Sequence, residues 1–239
     1  MEGFLIVLLI LLVVAGIAVY FLIINYKRYT LISKTETSTI SWMQEGYNEI
    51  KGKIVSLGEQ LTSPFSEKPC VYYQFKVEQK KSSGKNSHYV SIIDDKKFQK
   101  FGVDDGSGIA VVDLQNADIQ IKVDKKDSSG FFNNADENQV RVLGKYGKSS
   151  KGFLFEKTLR YTEKYLEVGD EVYVLGEVTG REQSKPLFRK DKLPLFVSDK
   201  SEHELLKHYK LRIVFLTVGL LAIITFGAFM YSELAGSTF

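Results

Sequence analysis

The sequence predicts a mainly β soluble domain flanked by two transmembrane α-helices, on three observations. Gly3 to Tyr26 is a run of 24 residues without a charge, and Ile213 to Ser232 is another of 20. All Lys and Arg lie between these runs, from Lys27 to Arg212, with every acid except Glu2 and Glu233. Inside that charged middle the apolar residues recur at a spacing of two, the period of a half-buried strand. Whole-chain averages hide this partition: 239 residues with 44% hydrophobic, 26% charged and a mean hydropathy of −0.10 would suit an ordinary soluble domain. The partition excludes a single secreted globule and a disordered chain, and one cysteine, Cys70, excludes a disulfide-stapled module.

At about 1.5 Å rise per residue, segments 3-26 and 213-232 would reach roughly 36 Å and 30 Å, against a hydrocarbon core of about 30 Å. Each is expected to be a transmembrane helix. A cleaved signal peptide would show a basic start and an apolar run of about 7–15 residues, and GFLIVLLILLVVAGIAVYFLIINY has neither. The second run, IVFLTVGLLAIITFGAFMYS, has no all-apolar partner in the middle of the chain that would bury it as a core helix, and Glu233 to Phe239 reads as a short tail beyond the membrane. Lys27, Arg28 and Lys34 follow the first span, and Lys200, Lys207, Lys210 and Arg212 precede the second. Because cations resist translocation, an integral membrane protein is expected with its central domain in the cytoplasm and both termini outside.

Residues 27-48 read as a connector and a short helix. TSTISWMQEG places Ile40, Trp42 and Met43 between Thr or Ser residues able to cap the start and Gly46 as a stop. Residues 49-198 form the β-rich domain. Ile50, Ile54 and Leu57 are separated by Lys and Gly, and Val71, Tyr73, Phe75 and Val77 alternate with Tyr72, Gln74, Lys76 and Glu78, so each stretch is a strand with one buried face. TSPFSEKP, with two of the four prolines, falls in a turn. Asp105-Gly106 between apolar runs is a hairpin turn. Val172, Val174 and Val178 make a later strand, in which Gly176 is expected to mark a bulge or barrel corner. The succession KGKIVSLGE, DDGSGIAVVD and VGDEVYVLGEV suggests an OB-like Greek-key barrel, with Lys125 to Lys157 as an excursion holding a short element around Val140 to Leu143. Residues 199-212 read as a juxtamembrane helix opened by a capping box of Ser201 and Glu204 and continuous with the second span, which would hold the domain close to the bilayer.

No catalytic, cofactor or metal site is expected. HELLKH resembles a metalloprotease helix, but His203 and His208 are five apart, which turns the second imidazole roughly 140° from the first. Gly147-Lys148-Ser149 resembles the end of a phosphate loop, yet the required earlier glycine is Val142. VDDGSG lacks the spacing of a calcium loop. Cys70 opens an apolar strand with no basic partner suggested and reads as a small buried hydrophobe. In the middle segment 32 basic residues face 27 acidic ones, a net +5 that orientation and anionic lipid explain more simply than nucleic acid does.

The stretches GKIVSLGEQLTSPFSEKPCVYYQFKVE, FGVDDGSGIAVVDLQNADI, RYTEKYLEVGDEVYVLGEV and LPLFVSDKSEHELLKHYKLR, in this order, resemble the GIDE or beside-a-membrane (BAM) family, in which a β-rich domain sits between two membrane helices. The best-known relatives are mitochondrial outer-membrane E3 ubiquitin ligases whose cytosolic RING follows the second helix. A RING holds two zinc ions on Cys and His ligands, and this sequence has one cysteine and runs seven residues past the second apolar run, so the resemblance implies the membrane module without ligase chemistry. Those relatives hold the β-domain in the intermembrane space, whereas the cations of this sequence point it to the cytoplasm.

The expected function is a non-catalytic binding or scaffolding module at the bilayer surface. The alternative is a component of an E3 ubiquitin ligase-like or other membrane enzyme whose catalytic subunit a partner supplies. Expected partners are the lipid bilayer and a protein in the membrane or at its surface. Gly219, Ala222 and Gly227 would allow close helix packing in an oligomer.

Overall fold

A computed structural model describes residues 2–84, 86–152 and 156–236, and the chain divides into two compact units, Met1–Glu36 with Ser201–Phe239, and Thr37–Lys200. Residues 153–155 of the expected excursion and 237–239 of the expected tail lie outside the described residues.

The first unit is a pair of long helices, α1 (Glu2–Lys34) and α2 (Glu202–Gly236), which pack against each other. Helix α1 continues beyond Tyr26 through the basic residues to Lys34, where a connector had been expected. Both are long and apolar enough to cross a membrane, and their apolar windows are unburied along their length. Leu12 is 62% exposed and Phe215 79%. A core helix of a water-soluble protein would cover such side chains, each worth roughly 2 kcal/mol of transfer free energy, so a hydrocarbon medium is the environment that suits them. The expected capping box is formed at the start of α2: Ser201 N and Oγ both donate to Glu204 Oε2 (2.9 and 3.0 Å), and Glu204 N donates to Ser201 Oγ (3.3 Å). The second run is therefore the continuation of one helix that begins at Glu202.

The second unit is built on a closed barrel. Its strands, in chain order, are βa (Gly46–Ser56), βb (Phe101–Asp104), βc (Ile109–Asp113), βd (Glu171–Glu182) and βe (Lys185–Arg189). Around the barrel βa pairs with βb, βb with βc, βc with βe, βe with βd, and βd with βa again. Only the βc–βe pair is parallel. First, second, third, fifth and fourth strands closing on the first is the OB-type Greek key that the glycine-marked succession suggested. Two short strands, Asp118–Ile119 and Phe196–Ser198, extend the sheet beyond βd. Ile50, Ile54, Phe101, Val103, Val112, Val174 and Phe188 fill the interior, and each fully buried side chain contributes about 2 kcal/mol.

Closure depends on a corner in βa. Residues 46–53 pair with βd, and residues 53–56 pair with βb. Gly52 sits at this changeover, where a Cβ would lie 2.4 Å from the carbonyl oxygen of Asp104. The glycine expected at the corner, Gly176, pairs straight through with Asn48, so the ladder has no bulge there. The bulge in βd instead falls between Val178 and Arg181, opposite βe.

A second layer grows from two excursions of the barrel. Residues 57–100, between βa and βb, supply βf (Tyr72–Ser83) and βg (Asn86–Phe98). Residues 114–170, between βc and βd, supply βh (Lys125–Ser129), the helix α3 (Glu137–Lys145) and βi (Leu159–Leu166). They combine into one four-stranded antiparallel sheet in the order βg, βf, βi, βh. The alternation read in the sequence is present in βf: Tyr73, Phe75 and Val77 point to a second core with Val142 and Leu143 of α3, while Gln74, Lys76 and Glu78 take the other face. Tyr72 departs from it, being buried in the barrel core at the point where the two cores meet.

The short helix expected in TSTISWMQEG is a single 3-10 turn, Ile40–Trp42, that buries Ile40 and Met43 in the barrel and leaves Trp42 85% exposed. Thr39 makes no side-chain cap. The amide of Ile40 instead donates to Asp105 Oδ2 in the βb–βc turn (2.9 Å), whose Oδ1 accepts from Ser107 N and Oγ and from Gly108 N. Burial alone would raise the Asp105 carboxyl; these bonds outweigh it and hold it below the ordinary value of 3.8. The bonds thus contribute stability above that value, and the contribution is lost as pH falls through the lowered one. Asp105→Ala should cost about 1–2 kcal/mol near neutrality. Denaturant titrations of wild type and variant should converge in strongly acid solution; a pH-independent difference would refute the assignment.

Candidate functional site

The structure places each of the four sequence patterns with chemical overtones. His203 and His208 both lie on α2, five residues apart and so on different sides of it, and among the described residues no cluster of His, Cys, Asp and Glu could hold a metal ion. Gly147 takes φ +63 immediately after α3, and Lys148 N donates to Leu143 O (2.9 Å), so GKYGKSS is a left-handed helix stop. VDDGSG is the βb–βc turn, with the Asp105 carboxylate committed to amides and a hydroxyl. Cys70 is fully buried, and burial, followed by the charges of Glu163 and Glu167, pushes its thiol up to about 12. A neutral, enclosed thiol is a poor nucleophile. Maleimide should leave Cys70 unmodified in the native protein and modify it in denaturant; rapid native labelling would show the packing to be wrong.

The carboxylates of the interior are likewise structural. Glu163 of βi is fully buried and accepts from Phe65 N at Oε1 (2.8 Å) and Ser66 N at Oε2 (2.9 Å). This clamp holds the 63–68 turn over the second core, where the ring of Phe65 stacks on Tyr161 (5.6 Å between centroids) and on Phe75 (5.8 Å). Glu49 of βa accepts from Tyr173 Oη and Thr37 Oγ1. Tyr73 and Tyr146 both donate to Asp95 Oδ2 (3.0 and 2.6 Å), and burial together with that carboxylate raises both phenols. Buried acid groups that already bind amides, hydroxyls and phenols rigidify the cores.

A polar concavity lies on the outer face of the four-stranded sheet. The register aligns Arg160 with Glu78 on one side and Ser128 on the other, and the next outward row aligns Thr162 with Lys76 and Lys126. Glu78, Lys126, Asp127, Ser128, Arg160 and Thr162 line an open concavity of about 580 Å³. Arg160 Nε and Nη2 donate to Glu78 Oε2 (3.0 and 2.8 Å), and the guanidinium lies 4.2 Å from the ring centroid of Tyr89, which fixes its plane across the floor. Further along the same face stand Lys164 and, on βg, Lys96. On this face Lys76, Lys96, Lys126, Arg160 and Lys164 stand against Glu78, Asp94 and Asp127, with Lys76 and Arg160 both paired to Glu78. By contrast, βb and βc, the strands on which OB-type barrels commonly receive nucleic acid, are buried along most of their length. Sequence reasoning named none of these residues, although the outward phase of LRYTEKYL, which is Arg160, Thr162 and Lys164, carries the signal.

The GIDE family model, described as E3 Ubiquitin ligase, matches residues 72–231. No curated protein and no solved structure matches the chain. The matched region runs from βf, through both sheets, and along α2 almost to its end, so it takes in the second layer, most of the barrel and the helix that follows. A family match over more than half of the sequence, on a β-rich unit whose chain leads into apolar helices at both ends, makes this chain a member of the GIDE family.

Proposed function

We propose that the chain is a membrane-anchored, non-catalytic binding module, which holds its β unit at the cytoplasmic surface of a bilayer and offers the basic sheet face to an acidic protein partner. The carrying observation is the brevity of both tethers. Only residues 35–36 separate α1 from Thr37, which bridges to Glu49 of βa, and only residues 199–201 separate the Phe196–Ser198 strand from α2. At about 3.5 Å per residue such connectors reach on the order of 10 Å. A surface tethered twice at that range meets a membrane-bound partner at high effective concentration, which is what a scaffold needs. The cations flanking both apolar runs support the cytoplasmic side.

Two measurements test the reading. A Ser87→Cys variant, on the exposed βf–βg hairpin and with Cys70 enclosed, should resist an impermeant maleimide in sealed cells and react after permeabilisation; labelling of sealed cells would overturn the orientation. A photoreactive residue at Thr162 should capture a partner whose yield falls about tenfold in Lys126→Glu/Lys164→Glu, two reversed contacts at roughly 0.7 kcal/mol each. An unchanged yield would overturn the acidic-partner assignment.

The family description favours a second reading, a component of a ligase-type enzyme whose catalytic subunit comes from a partner. Stoichiometric co-purification of a ubiquitin-transferring subunit from native membranes would favour it over the scaffold.

A further inference from the structure

The two helices of the apolar unit leave a groove of about 380 Å³ between them, lined by Phe21 and Asn25 of α1 and by His208, Arg212, Phe215 and Leu216 of α2. Its position in the sequence is informative. Tyr26 is the last residue of the first uncharged run and Lys27 follows it; Arg212 is the last cation before the second run begins at Ile213. The groove thus straddles the polar limit of both apolar segments. His208 and Arg212, four residues apart, share one face of α2, and Phe215 and Leu216 continue that face into the apolar run. On α1 Asn25 is buried, with Nδ2 donating to the carbonyl of Phe21 one turn away (2.7 Å). Along its length the groove passes from imidazole and guanidinium at one end to aromatic and aliphatic side chains at the other.

This polarity matches a single kind of molecule, one with an anionic head and a hydrocarbon chain. We propose that the groove is a phospholipid site, in which Arg212 and His208 hold the phosphate of an anionic phospholipid and an acyl chain lies along Phe21, Phe215 and Leu216. Charge complementarity supports an anionic lipid over a zwitterionic one: Lys207 and Lys210 flank His208 on α2, Lys27 and Arg28 follow Asn25 on α1, and no carboxylate occurs from Leu205 to Ser232 or from Gly3 to Thr35. A concave seat between two helices also covers more of the chain than a convex helix face can. The inference rests on the reading that both helices lie in a bilayer.

The test uses the full chain in nanodiscs of phosphatidylcholine mixed with phosphatidylglycerol, followed by native mass spectrometry of the protein with its retained lipids. Wild type should retain phosphatidylglycerol preferentially. Arg212→Gln should reduce the preference about fivefold, the equivalent of one basic contact worth about 1 kcal/mol, and Arg212→Gln/His208→Gln should reduce it further. Phe215→Ala should weaken retention of both lipids alike, and Lys185→Gln, in the β unit, should leave the preference unchanged. Equal preference in wild type and the double variant overturns the site. Displacement of the lipid by soluble glycerol phosphate also overturns it, because the groove would then be an anion site only. Carbonate extraction of the source membranes, before reconstitution, separates the two readings: recovery of wild type in the aqueous fraction would sink the bilayer reading itself, whereas a membrane-retained protein without lipid preference would sink this proposal alone.

Discussion

Gly52→Ala should lower the stability of the β unit by about 3 kcal/mol, the upper end of ordinary overpacking costs. The added methyl would stand 2.4 Å from the Asp104 carbonyl oxygen and 2.7 Å from its carbon, and both belong to backbone held in the βa–βb ladder. Relief requires the strands to separate where βa passes from one neighbour to the other, so the cost falls on closure of the barrel. Two other glycines calibrate the claim. At Gly176 a Cβ would meet the tip of Leu195 at 2.6 Å, a side chain able to turn away, and about 1 kcal/mol is expected. At Gly58 nothing lies within 4 Å, and alanine should be neutral. For a unit of this size 1 kcal/mol moves Tm by roughly 2–4 °C, so thermal unfolding of the three variants should resolve the order. Equal effects at Gly52 and Gly58 would show that the corner is not where the structure puts it.

Glu163→Ala should cost about 4 kcal/mol. The substitution strands the amides of Phe65 and Ser66, each at about 1–3 kcal/mol, and opens space beside the stacked rings. Glu163→Gln keeps the shape but turns one acceptor into a donor that faces an amide, so about 2 kcal/mol is expected. Because the clamp holds Phe65 between Tyr161 and Phe75, both variants should also lose near-ultraviolet circular dichroism before the far-ultraviolet signal falls. Denaturant unfolding of the alanine variant within 1 kcal/mol of wild type would refute the clamp.

How far these features were legible depends on where their signals lie. The apolar runs, the period-two stretch at Val71 to Val77, the Asp105-Gly106 turn and the Ser201–Glu204 box are local patterns, and each appears where local physics places it. Strand βe was invisible for equally local reasons. Its hairpin turn uses Gln183 and Ser184 at φ +49 and +67, where Asn-Gly is the usual signal, and Pro186 lies inside the strand. The division of the β region into a barrel and a second sheet was not legible, since it rests on βf finding βi. Glu163 did leave a trace: in LRYTEKYL it occupies the same phase as Leu159 and Tyr161, and a carboxylate in the apolar phase of a strand must find donors. Which donors it finds is a matter of a loop nearly a hundred positions earlier. The basic sheet face is an ordinary solvated surface by composition, and only the register collects its cations.

The pairing of βa with βd has a consequence for biosynthesis. Glu49 meets Tyr173 across 124 positions of sequence, so the barrel's first strand emerges from the ribosome long before its neighbour exists. High contact order of this kind belongs to slow folders, which take roughly milliseconds to seconds once synthesis is complete. During translation the nascent first strand must wait with its edge groups open.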